Sequence, residues 1–274
     1  VKLLARGHTI EFPRRPLIMG IVNLSADSFS GDGLADVDAA VAKARGLVAD
    51  GAEIIDVGAE SARTNRGPIS EQEEIDRLCA FITRWDDPAL LSINTWRPAV
   101  VRAVLREGGH ILNDIGALPT DENARTCAET GAALLIMHTV GEPKVAHTHV
   151  AYDDVMQRLD DFFAEKVALA ERAGLSRDAI VLDPGIDFAK QRDDNLRIYR
   201  DLARLHLFER PILLPVSRKT VIGDVLGVPA PERDAGTVAC VVSGMLRGAH
   251  IFRVHNVRAV SQAVRMVEAI ESVR

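Results

Sequence analysis

The sequence predicts a (β/α)8 barrel in one domain spanning residues 1–274. Short runs of branched apolar residues alternate with longer segments of helical periodicity, and eight such units follow one another with short connections. A doubly wound open sheet is the competing architecture, but the Gly-rich phosphate turn it carries after its first strand is missing. No internal repeat, low-complexity tract or second domain interrupts the pattern.

Each unit has its own warrant. The first strand, 17–22, ends at Asn23, and a helix over about 36–49 stops at Asp50-Gly51. The second strand, 53–57, leads to a loop and then a helix announced at Ser70, where Ser70-Glu-Gln-Glu73 has the form of a capping box. The third, 90–93, ends on Asn94-Thr95, with Pro98 in the first turn of its helix. The fourth, 110–112, ends on Asn113-Asp114 and is followed by a helix over about 121–129. The fifth, 133–137, ends at His138 and is followed by a long helix over 152–173 capped by Gly174. The sixth, 180–183, stops on Asp183-Pro-Gly185, so its carboxylate is delivered to the mouth of the sheet. The seventh, 211–214, runs into Ser217-Arg-Lys219, and the eighth, 250–254, into His255 and a last helix from about Val257.

Composition bounds the function. With 47% hydrophobic and 26% charged residues and a net charge of -6, the chain has core material and no basic stripe for nucleic acid. No apolar run reaches the roughly 18 residues that span a membrane, and the first residues do not form a signal peptide. Cys79, Cys127 and Cys240 are scattered and odd in number, which fits buried small hydrophobes in a reducing, cytoplasmic setting. No cysteine–histidine cluster has zinc spacing, and His147 and His149 lack neighbouring ligands, which suits a solvated loop.

Asn23, Glu60, Arg63, Asn94, Asn113, His138, Asp183, Lys219, Arg253 and His255 all fall at or just after strand ends. Singly, each is an ordinary turn or structural residue; in a barrel all ten converge on one face. Asn94, Asn113 and Asp183 offer the mixed donor and acceptor edge that a polar heterocycle needs. Arg63, Lys219, Arg253 and His255 offer positive charge for a phosphate or pyrophosphate. The residues therefore describe a barrel that binds a planar polar ring deep in its mouth and an anion above it.

The same residues carry a resemblance. Met19-Gly-Ile-Val-Asn23 with Asp27-Ser-Phe-Ser30, Gly51 to Gly58 with Glu60-Ser61 and Arg63, Asn113-Asp114, Met137-His138, Asp183-Pro-Gly185, Ser217-Arg-Lys219 and Arg253-Val-His255 follow one another as in the dihydropteroate synthase family. The chain resembles that family almost end to end. The resemblance implies condensation of 6-hydroxymethyl-7,8-dihydropterin pyrophosphate with 4-aminobenzoate, releasing pyrophosphate. It implies that Asp183 and Asn113 bond the pterin edge, that Lys219 touches the ring, and that Arg253 and His255 take the pyrophosphate. It gives Asn23 to a Mg²⁺ ion, and makes Met137, Phe188, Phe29, Ala62, Arg63 and Thr220 substrate-binding. Asp183, Lys219, Asn94 and Arg253 are the implied catalytic set. A homodimer through the last units is also implied, and the apolar segment 236–246 agrees with it.

Departures from the family fall on one side. Asn94 stands where the family has an aspartate, so the resemblance leaves Asp183 as the only negative group facing the ring. Ala26 replaces a proline of the first loop, Ala62 and Thr64 change the second, and Asp187 and Ala189 replace glycines after strand six. These changes border the amine pocket, so two alternatives accompany the synthase reading: transfer of the pterin to a different amine, and pterin binding without synthesis.

Overall fold

The chain opens with a hairpin that the alternating pattern did not reveal. Strands β1 (Lys2–Ala5) and β2 (His8–Glu11) pair antiparallel in the computed structural model, which describes residues 1–24, 33–60, 67–141, 143, 145 and 150–273. Arg6 and Gly7 join them, both with positive φ (43° and 80°), the geometry that matches strand twist in a two-residue turn. Leu3 and Ala5 are buried, and the Arg6 N–H donates to Gly131 O at 2.7 Å. That carbonyl lies just before the fifth barrel strand, so the hairpin covers the end of the barrel where strands begin.

The apolar runs form the barrel. β3 (Leu17–Asn23), β4 (Ile54–Gly58), β5 (Leu90–Asn94), β6 (Ile111–Asp114), β7 (Ala133–Met137), β8 (Ile180–Asp183), β9 (Leu213–Pro215) and β10 (Ile251–Val254) are parallel, in the order β8-β7-β6-β5-β4-β3-β10-β9. A bridge between Leu182 and Ile212 brings the two ends of that order together. Strands covered on both faces must be apolar throughout, and every residue of β4 and β7 is buried. β9 begins later than the sequence suggests, since Pro211 has no N–H for the ladder and offers only its carbonyl, to Leu182 N–H at 2.9 Å. β6 runs one turn of the pleat further than expected, so Asn113 and Asp114 belong to the strand itself.

Helices α1 (Gly33–Ala49), α2 (Glu71–Ile82), α3 (Pro98–Glu107), α4 (Glu122–Thr130), α5 (Val155–Arg172), α6 (Arg192–Asp201), α7 (Thr220–Leu226), α8 (Asp234–Met245) and α9 (Val257–Glu271) connect the strands. Their inward stripes are short-period apolar rows, such as Val100, Val101, Val104 and Leu105 of α3. Ser70 Oγ accepts the Glu73 N–H at 3.1 Å, one half of the expected capping box, while the Glu73 carboxylate pairs with Arg77. Gly244 lets α8 lie close to the sheet: a Cβ there would meet Leu214 at 2.7 Å and Phe252 at 2.9 Å. No described helix is long and apolar enough to cross a membrane.

Candidate active site

At the C-terminal ends of the strands lies a cavity of about 510 Å³, within the size range of small-molecule sites. Asn23, Asn94, Asn113, Met137, Asp183, Phe188, Lys219, Thr220, Arg253 and His255 all line it, together with Glu60. Phe29, Ala62, Arg63 and the His147/His149 pair lie outside the described residues. His138 does not reach the cavity. Its ring is buried edge-on to Phe162 (4.8 Å), with Lys190 Nζ 2.8 Å from Nδ1, and burial together with that ammonium pulls its pKa down to about 2. It is a core residue that happens to follow a strand.

The floor of the cavity is organised by a residue that the strand reading passed over. Asp56, in the middle of β4, is fully buried. Its carboxylate accepts from Ser92 Oγ (2.6 Å), from Asn113 Nδ2 (3.1 and 3.2 Å) and from Arg253 Nε (2.7 Å). An acid inside an otherwise apolar strand is the signal that marked it, because an ionised carboxylate is buried only where donors surround it. With its Nδ2 committed to Asp56, Asn113 presents a buried Oδ1 that has no partner among the described residues. A buried acceptor left open in this way is built to receive a ligand's N–H.

Asp183 is 3% exposed, and its Oδ1 accepts the Gly185 N–H at 2.7 Å. Burial raises its pKa to about 6, against the opposing pull of that N–H and of Lys219, Lys190 and Arg253. Lys219 is lowered by burial and held up by Asp187 and Asp183; its ammonium donates to Ile186 O (2.7 Å) and lies 4.8 Å from the centre of the Phe188 ring. Asp183 is not the one acid at the cavity. Asp187 and Glu60 also line the cavity and Asp56 lies beneath it. Glu60 is paired with Arg97, and Asp187 accepts from the backbone N–H groups of Thr220 and Val221.

At the rim of the same cavity, His255 is fixed by Ser217 Oγ at 2.8 Å from Nδ1. Its edge is exposed, while partial burial of the ring and the cations Arg253 and Arg218 hold its pKa down to about 4. Arg218, given no role of its own within the Ser217-Arg-Lys219 motif, lines the cavity and pairs with Asp234 through Nε at 2.7 Å. Asn23 stands exposed at the end of β3. Among the described residues no group of three or more histidine, cysteine or acidic side chains could hold a metal. A lone amide oxygen is nevertheless a suitable Mg²⁺ contact where substrate phosphates and water complete the octahedron.

A barrel with a half-acidic, half-cationic cup at its strand ends is a ligand-binding enzyme site for a polar ring bearing an anionic arm. The comparisons agree: the model of the pterin binding enzyme family matches residues 19–255, and the chain belongs to that family, among the dihydropteroate synthases. It is 38% identical to the dihydropteroate synthase of Escherichia coli (strain K12) over 280 residues, covering 100% of this chain and 98% of that one. The solved structure of the Xanthomonas albilineans dihydropteroate synthase with 4-aminobenzoic acid superposes with a TM-score of 0.91 at 33% identity, covering 100% of this chain and 99% of that one. The same synthase in complex with 7,8-dihydropteroate gives 0.88 at 32%, with both chains covered in full.

Proposed function

We propose that the chain condenses 6-hydroxymethyl-7,8-dihydropterin pyrophosphate with 4-aminobenzoate, forming 7,8-dihydropteroate and pyrophosphate. The observation that carries this reading is that one cavity brings together two acceptors, Asn113 Oδ1 and the Asp183 carboxylate, with Arg253, Lys219 and His255. Asn113 and Asp183 accept from the amino edge of the pterin, and Asn94 and Met137 border the ring. Arg253 and His255 receive the pyrophosphate. The C–O bond to the pyrophosphate breaks as positive charge develops on the pterinylmethyl group, and the buried carboxylate of Asp183 stabilises that charge where water is excluded. Lys219, stacked on Phe188, closes the ring's other face, and Thr220 stands at the amine side. A Mg²⁺ ion held by Asn23 would neutralise charge on the leaving pyrophosphate.

A second reading is favoured by Asp187, whose carboxylate lines the cavity where the resemblance has glycine: the pterin is transferred to an amine other than 4-aminobenzoate. We also propose a homodimer, since Val225, Leu226, Leu246, Met266 and Ile270 of α7–α9 and the turn after α8 are exposed large apolar residues. Pyrophosphate release from the pterin substrate, with and without 4-aminobenzoate, tests the main reading, with products identified by mass. Release that requires 4-aminobenzoate and yields dihydropteroate is expected. Release with another amine alone transfers the case to the second reading.

A further inference from the structure

We propose that Asp56 is a positioning residue that couples recognition of the pterin ring to recognition of the pyrophosphate. The inference rests on the cavity reading above. Asp56 is not among the residues lining the cavity, yet it touches two that are: Asn113, assigned above to the ring, and Arg253, assigned to the pyrophosphate. Toward the ring it fixes an amide. An asparagine can present either its oxygen or its NH₂ to a ligand, and the two are nearly isosteric. A carboxylate, which only accepts, behind the side chain removes the choice: Nδ2 must face Asp56 (3.1 and 3.2 Å to its two oxygens), and Oδ1 must face the ligand. Toward the pyrophosphate it fixes a cation. Arg253 gives Nε to Asp56 at 2.7 Å, which anchors the guanidinium by one edge and leaves its terminal nitrogens for the anion.

Both partners draw on Oδ2, while Ser92 Oγ holds Oδ1, the other oxygen that Asn113 reaches, at 2.6 Å. An anion that pulls on Arg253 therefore changes what Asp56 offers Asn113, and a ring that orders Asn113 changes what it offers Arg253. Linkage makes the effect reciprocal.

The test is calorimetric binding of two separate probes, 6-hydroxymethylpterin and inorganic pyrophosphate with Mg²⁺, each also titrated in the presence of the other. Asp56→Asn is expected to weaken each probe about tenfold and to abolish their mutual enhancement. In that background, Asn113→Ala is expected to cost the pterin much less than it does in the unmodified protein. Should Asp56→Asn fail to fold, Arg253→Lys and Asn113→Ala read the same coupling with Asp56 intact. Arg253→Lys then weakens the pterin, and Asn113→Ala weakens pyrophosphate, each by a few-fold. The inference is overturned if folded Asp56→Asn binds both probes as the unmodified protein does, or if each of the other variants affects its own ligand alone. Unmodified protein that binds neither probe would instead overturn the cavity reading.

Discussion

Asp183 is a carboxylate kept where water solvates it poorly, and the free protein bears the cost. Its pKa stands at about 6 against the ordinary 3.8, so between those values the folded chain holds a proton that the unfolded chain has lost. The stabilisation belongs to the protonated form: it is complete below about pH 3.8 and is lost as pH rises through about 6. Asp183→Asn should therefore stabilise the free protein at pH 7 by about 1–3 kcal/mol, seen as a higher midpoint in thermal melts. Asp114, likewise lifted to about 6 by burial, keeps part of the pH slope in that variant. Activity should move the other way. The same substitution should lower kcat/KM about a hundredfold or more, and in the unmodified protein kcat/KM should fall as pH drops through about 6. A flat profile between pH 5 and pH 7 would remove Asp183 from the charge-stabilising role.

Asn94 is the second residue with a quantitative consequence. It is half-buried, lines the cavity, and sits beside Asn113 across the β5–β6 ladder. An amide there supplies no charge, although Asp56 and Asp187 contribute negative potential nearby. Asn94→Asp should raise kcat/KM for the pterin substrate about tenfold, the worth of one charge-assisted contact. Unchanged pterin turnover would mean that the carboxylates already present suffice.

Among the elements, the segment after β8 decides how the acid is presented. Gly185 has φ 69°, and a Cβ there would lie 1.9 Å from His138 O. Gly185→Ala must push β7 and β8 apart, and the measurable result should be loss of pterin binding together with a drop of several degrees in melting temperature. Further along, Asp187 (φ 68°) and Ala189 (φ 49°) hold left-handed conformations without being glycine. Asp187 recovers some of that strain through its bonds to Asn195, Thr220 and Val221. The side chain of Ala189 can form no such bonds, so Ala189→Gly should stabilise the protein by about 0.5–1 kcal/mol, read by chemical denaturation with activity retained. The segment is pinned from behind by Lys190, whose buried ammonium donates to Phe188 O at 3.0 Å and whose pKa burial lowers to about 7.

At the scale of the whole molecule, the exposed apolar residues of the last units predict association. Leu246→Asp and Met266→Asp should shift sedimentation from dimer to monomer, and a monomer in the unmodified protein would exclude the assembly. The same scale shows what could be read in advance. Buried parallel strands announce themselves as apolar runs, and their ends as the polar residue that stops them, so the barrel and most of its rim were legible in the sequence. What escaped was whatever broke that rule. The β1–β2 hairpin alternates weakly over four-residue strands, too short to separate from a loop. Asp56 sits inside a run rather than at its end, and only packing reveals that Ser92, Asn113 and Arg253 gather around it. His138 ends a run as the rim residues do, but its side chain turns into the core, which no spacing can express.

The hairpin that covers the far end of the barrel has a kinetic consequence. With Leu3 and Ala5 buried at that end over a packed interior, the cavity that Asn113 and Asp183 line lies, among the described residues, at the opposite end, where the strands finish. Ring, amine and product would then meet in the same strand-end cavity, with the ring the deeper of the two substrates. Loading is then a queue: pterin before amine. Initial-rate measurements should show amine in excess acting as a blocker that more pterin substrate relieves.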